Sequence, residues 1–311
     1  MKKYLAIAAL MAVTSVGADE LKFGDLNFFI KQGRFNLLAN GDATTERATT
    51  GTSTIEKENF LIGSQLTYGI SDKLDLLVGV DYSIGSSISN GSGISGGVVT
   101  GPDRYSEDGL GNPRIGINYR LMDQSSDMYN VDFGVISSFR FEDAERGSLG
   151  GTDGNAAAPR SNIEFNAKMG RKWNEANEWQ LAAGVLYNMD GEQTTLASVG
   201  SDTKTDIDAS QDFFVRASYQ WRPINEFMVA LSLQGTRVGE FDTQNQGTAG
   251  KSTFEDHIDF NGTFTAKYLI TENFIAKFRY GMSRNPDYDI DNTEVRKRRN
   301  NFFGLGVDWL F

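Results

Sequence analysis

No cysteine occurs in the 311 residues, histidine occurs once and proline five times. Without cysteine there is no disulfide framework and no thiolate-ligated metal site. With one histidine, a histidine-rich metal site is excluded as well. Beyond the N-terminus no stretch of about 18 apolar residues occurs, so no helix is expected to cross a bilayer. Basic residues are also short: 30 Lys and Arg face 41 Asp and Glu, for a formal charge of -11. That balance argues against a nucleic-acid partner, which is held through a basic face. What is abundant is glycine, at 34 residues, with 21 Phe and 11 Tyr. The mean hydropathy is nonetheless only -0.38. Something apolar is diluted by regular alternation.

The first residues form an address. Met1-Lys2-Lys3 is basic, 4–13 is apolar but too short to span a bilayer, and Val16 and Ala18 are compact. This is the layout of a secretory signal peptide over 1–18, with cleavage before Asp19 and a single domain over 19–311. Export without cysteine suits a bacterial periplasm, where an unpaired thiol is a liability.

The rest of the chain has a period of two. Leu74, Leu76, Val78, Val80, Tyr82 and Ile84 alternate with Asp75, Gly79, Asp81 and Ser83. Phe213, Val215, Ala217, Tyr219 and Trp221 alternate with Asp212, Arg216, Ser218, Gln220 and Arg222. Side chains alternate across a strand, so each segment has one oily face and one polar or small face. Twelve such segments are predicted: 24–38, 56–70, 74–85, 110–121, 128–142, 160–172, 178–190, 211–222, 227–238, 256–270, 274–285 and 297–311. Most exceed the usual globular strand of about 5–6 residues and reach the roughly 9–11 needed to cross hydrocarbon.

Short connections such as 71–73, 173–177 and 271–273 alternate with long ones at 39–55, 86–109, 143–159, 191–210, 239–255 and 286–296. Short periplasmic turns alternating with long extracellular loops define an antiparallel transmembrane β-barrel of the outer membrane. An even strand number puts both termini in the periplasm, and twelve satisfies this. Aromatics beside the short turns, among them Tyr119, Trp221, Tyr268 and Trp309, fit an interfacial girdle. A β-sandwich also alternates, but with shorter strands and without a core face carrying this many charges.

The phase turns a definite set of charges toward the lumen. The pore-lining candidates are Asp75, Asp81, Arg120, Asp132, Arg140, Glu164, Lys168, Arg216, Asp259, Lys267, Lys277 and Arg279. Charges of both signs orient polar solutes in a wet lumen or pair into a plug, and both readings stand at this point. Near-balance with a basic excess on the later strands points to a weak anion or zwitterion preference. Small inward residues, among them Gly63, Gly116, Ala182, Gly184, Ser218 and Gly306, serve either a wider pore or closer packing.

Phe303, Leu305, Val307, Trp309 and Phe311 alternate with Phe302, Gly304, Gly306, Asp308 and Leu310. This resembles the C-terminal signal that outer-membrane proteins present to the barrel assembly machinery. A further resemblance lies in Gly109-Leu110-Gly111-Asn112 with Gly116, Tyr119 and Arg120, and in the hairpin from Tyr68 to Leu76. These stretches are similar to the outer-membrane transporter family named for the MetA pathway of phenol degradation. That resemblance covers about one fifth of the chain and implies uptake of aromatic or other small hydrophobic compounds.

No catalytic constellation accompanies this pattern. His257, the sole histidine, reads as a rim residue without a nucleophile, and no enzyme activity is expected. Asp287, Asp289, Asp291 and Glu294 lack the spacing of a calcium loop, so neither a metal nor a cofactor is expected. The implied partners are outer-membrane lipid, lipopolysaccharide, the assembly machinery and a small-molecule solute, with no nucleic acid. The expected function is passive passage of small solutes. The alternative is a non-conducting structural or adhesive barrel whose long loops bind partners.

Overall fold

A computed structural model describes residues 21–50, 53–90, 94–95, 98–99, 104–147, 153–197, 201–247, 250–284, 288–290 and 293–311. The signal-peptide stretch 1–18 lies outside the described residues, as do Asp287 and Asp291 and the side chains of Asp289 and Glu294. Twelve long strands form the wall. They are β1 (Phe35–Thr50), β2 (Ser53–Ser71), β3 (Leu74–Asn90), β4 (Arg114–Met122), β5 (Asn130–Ser138), β6 (Arg160–Asn174), β7 (Asn177–Thr195), β8 (Ser210–Ile224), β9 (Phe227–Val238), β10 (His257–Thr271), β11 (Phe274–Arg284) and β12 (Thr293–Leu310).

Each strand pairs antiparallel with its sequence neighbour, and β12 pairs with β1. The result is a closed antiparallel barrel of twelve strands. Closure reaches the final residue: the Phe35 amide donates to the Phe311 carbonyl at 2.7 Å, and the Phe311 amide returns a bond at 2.9 Å. Among the described residues every one of the twelve wall strands has a paired neighbour on both sides, which is the condition for a sheet in hydrocarbon.

The two faces of the wall differ as the alternation requires. Val78, Tyr82, Ile117, Phe133, Val215, Leu233, Phe260 and Leu305 are exposed on the outside. Asp75, Arg120, Asp132, Ser218, Gln220 and Lys277 are buried on the inside. An apolar outer belt on a closed barrel has lipid as its solvent, and the protein resides in the outer membrane.

Three expectations need correction. The first predicted strand, 24–38, is not part of the wall. Residues 21–34 are irregular, and the strand begins only at Phe35. Alternation alone does not distinguish a wall strand from a segment that is covered on both sides. Second, the expected long loop 39–55 is strand: β1 and β2 run out as a ladder from Phe35↔Tyr68 to Thr50↔Ser53. Beyond the membrane both faces meet water, so polar Thr, Glu and Arg extend a ladder whose backbone bonds do not depend on polarity. Third, β5 stops at Ser138 rather than 142, and β4 starts at Arg114 rather than 110. Other expected loops also hold strand. Thr203–Ile207 pairs with β7 and with Phe241–Asn245, which pairs with Lys251–Phe254. The wall is thereby raised on the β7–β10 side, at the loop end of the barrel.

Candidate functional site

The lumen is the candidate site, and its turn end is filled. Residues 21–34 fold back into the barrel mouth, where the inner wall meets them with charge on one side and apolar surface on the other. Asp25 accepts from Lys172 Nζ at 3.0 Å and from Arg222 Nη2 at 2.5 Å. Glu178 accepts from the amides of Leu26 and Asn27 at 2.6 and 2.7 Å, and from Asn27 Nδ2 at 2.7 Å. Lys267 Nζ donates to the Gly24 carbonyl at 2.8 Å. Arg120 holds Asp132 through two bonds of 2.7 and 3.0 Å and donates to the Asn27 carbonyl at 2.7 Å. Its guanidinium also lies 4.7 Å over the Phe29 ring.

Opposite these charges, Phe23 and Ile30 bury against Met228, Ile275 and Leu310, with Phe28 and Leu269 alongside. This is the apolar core of the molecule, and it joins segment to wall. Two wall glycines admit the segment. The Gly33 amide donates to the Gly69 carbonyl at 2.8 Å, and a Cβ at Gly69 would collide with the Lys31 carbonyl. A Cβ at Gly170 would collide with Asn27 Oδ1. Below the segment a cavity of about 670 Å³ opens between Phe23, Phe28, Leu269 and Leu310, with Lys31 and Arg34 at its rim.

Eleven of the twelve predicted lumenal charges occupy the inner wall. Asp81 pairs with Arg114 at 2.9 Å, Lys277 with Asp308 at 2.6 Å, and Arg279 with Asp42. Asp75 accepts from Asn118 Nδ2 at 2.7 Å, and Glu164 from Asn166 Nδ2 at 2.7 Å. Asp259 faces His257 at 3.5 Å near the loop end. Lys168 and Arg216 complete the inner set with Lys267. Arg140 is the exception. It lies past the end of β5 and pairs with Asp143 at 2.5 Å, because the strand stops before reaching it. Many small inward residues serve close packing: a Cβ at Gly63 would meet Asp81 Oδ1 at 2.9 Å, and one at Gly184 the Phe214 ring at 2.7 Å.

The sequence pattern does not single out Asp25, Asn27 or Asp42, because it makes 24–38 a wall strand and 39–55 a loop. Glu178 and Lys172 share the inward phase of Gln180 and Gly170, so their position was available from the alternation.

The C-terminal set Phe303, Leu305, Trp309 and Phe311 is exposed on the outer face, with Val307 in phase and half-buried. Phe311 stacks on Phe35 at 5.6 Å and meets Trp309 in a tilted contact at 5.2 Å, forming a collar at the turn end. At the same level Trp179 is buried by Tyr129 and Trp173.

No family model matches the chain, and no curated protein does. Solved structures do match. An outer membrane channel from Pseudomonas putida F1 is 15% identical, with a TM-score of 0.56 over 94% of this chain and 100% of that one. A deletion mutant of the TodX monoaromatic hydrocarbon channel is 9% identical, with a TM-score of 0.47 over 92% and 91%. The outer membrane protease OmpT of Escherichia coli is 9% identical, with a TM-score of 0.41 over 91% and 99%. At these identities the first match speaks for the fold alone, and the fold is that of an outer-membrane barrel. The two stretches that resemble the phenol-degradation family are the β2–β3 hairpin turn and the entry into β4.

Proposed function

We propose that the protein is a passive outer-membrane channel for small solutes, with its turn end in the periplasm and the segment 21–34 as the constriction. The observation that carries this reading is the inner wall above the segment. It is lined by charge and closed all round, and on this reading solutes pass along it from the loop end to the Arg120 layer. The fold it shares with a Pseudomonas putida channel supports the same reading. Uptake of aromatic or small hydrophobic compounds, implied by the hairpin resemblance, belongs to the proposal. So do the assembly machinery and lipopolysaccharide as partners.

A filled turn end also favours a second reading, a non-conducting barrel whose loops bind partners. Single-channel recording in planar bilayers separates the two. The full chain is expected to give small discrete steps. Asn27→Ala, which removes bonds to Glu178 and to the Trp179 carbonyl, is expected to enlarge them. Silence from both proteins would overturn the channel reading in favour of the second.

A further inference from the structure

We propose that the lumen holds a binding site for the carboxylate of a small, singly charged solute, between Lys168 and Arg216, directly above the seated segment. The inference deepens the channel reading and rests on it for the route by which the solute arrives. It starts from one row of paired residues. Across β4 to β8 the register runs Arg120↔Asp132↔Lys168↔Ala182↔Arg216. Charges alternate as plus, minus and plus. Then comes a methyl, then plus again. The negative charge that would continue the alternation is absent at Ala182.

The two cations beside that gap are not neutralised by their own neighbours. Among the described residues, neither Lys168 nor Arg216 makes an ion pair or hydrogen bond. Asp132 is committed to Arg120 through both oxygens. Glu164 and Asp75 approach Lys168 only at longer range and accept from amides. Strands lie about 4.8 Å apart, so residues flanking Ala182 are rooted about 10 Å apart. Two long side chains can close that span onto one carboxylate, each with a charge-assisted hydrogen bond. Both remain partly accessible, so the lumen reaches them.

The wall above the gap defines the rest of the solute. One row toward the loop end, Phe214 leans over Gly184, and beyond it Leu186 points inward between Glu164 and Asp212. Phe214 and Leu186 form an apolar ledge in an otherwise polar wall. An apolar body fits on that ledge, whereas a second negative charge there would meet Glu164 and Asp212. The site therefore selects a monocarboxylate with an apolar body.

Benzoate is the probe, and equilibrium dialysis against the full-length barrel in detergent is the measurement. Saturable binding is expected, weakened about tenfold or more by Lys168→Gln or by Arg216→Gln. Phthalate, with two charges, is expected to compete more weakly than benzoate, and benzyl alcohol not at all. A nuclear Overhauser contact between benzoate and the Phe214 ring in the unmodified barrel tests the pose without any substitution. Absence of that contact, or binding unchanged in both folded variants, would overturn the site. Planar-bilayer recording of the same preparations keeps the two readings apart. A barrel that binds benzoate through these residues and passes no current overturns the channel and leaves the site standing. A conducting barrel indifferent to both substitutions overturns the site alone.

Discussion

Asp25 ties the segment to the wall through two ion pairs. Its carboxylate is almost fully buried between Lys172 and Arg222, themselves buried. Removing one partner of such a group leaves uncompensated charge in a low-dielectric site, at a cost on the order of 3 kcal/mol. Asp25→Asn is therefore expected to unseat residues 21–34 without opening the barrel. The amides of Leu26 and Asn27, which donate to Glu178, report this directly. Their hydrogen exchange is expected to quicken about a hundredfold while that of β7 stays slow. Unchanged exchange at both would show that the apolar contacts of Phe23 and Ile30 suffice. Asp123, in the turn after β4, gives a second residue-level test. Burial raises its pKa, but hydrogen bonds from Ser125 and the Arg120 charge outweigh this and hold it below the ordinary aspartate range. A depressed folded value means that the stabilisation is present above the unfolded pKa and is lost as pH falls through the folded one. The carbon resonance of the Asp123 carboxyl is expected to titrate below about 3.9. A midpoint at or above that value would refute the account.

Single strands show why the wall was legible in the sequence and its ends were not. β9 matches its predicted bounds, and β10 and β11 come within a residue, because lipid on one face and water on the other enforce a period of two. Once a strand leaves the bilayer that constraint ends, so β1 and β2 continue through residues that read as loop. The alternation around Asp25 was real but described a segment covered on both sides. The same alternation puts eleven of the twelve expected charges on the inner face of the wall, and at Arg140 the strand has already ended. The last strand carries the element-level prediction. Phe311 contributes an outward ring and closes the ladder through its backbone, and only the ring is lost in Phe311→Ala. If the outward C-terminal residues address the chain to the assembly machinery, this variant is expected to reach the membrane several-fold less well. It should still refold in detergent to a barrel that shifts on heating in gel electrophoresis. Equal loss in the cell and in detergent would make Phe311 a structural residue and not a signal.

Over the whole molecule, charge is divided by location more than by amount. The chain carries -11, yet the lumen beside β6 and β8 presents two cations, Lys168 and Arg216, that make no ion pair among the described residues. Much of the acidity lies at the loop end, in residues such as Asp202, Glu240, Glu255 and Asp256, which are exposed or nearly so. Loop acids act on a solute through bulk water and are screened over a Debye length of about 10 Å at 0.1 M salt and about 3 Å at 1 M. Charges inside a narrow protein lumen are screened much less. The two sets therefore oppose each other with different ranges. At low ionic strength the loops repel anions from the entrance and mask the preference of the lumen. Raising salt in both chambers at a fixed ratio removes the loop contribution first. The reversal potential is then expected to move toward anion selectivity, against the usual loss of selectivity in concentrated salt. Arg216→Gln should abolish the shift, because the lumenal contribution goes with it. A shift toward cations, or one that persists in this variant, would place the selecting charge in the loops.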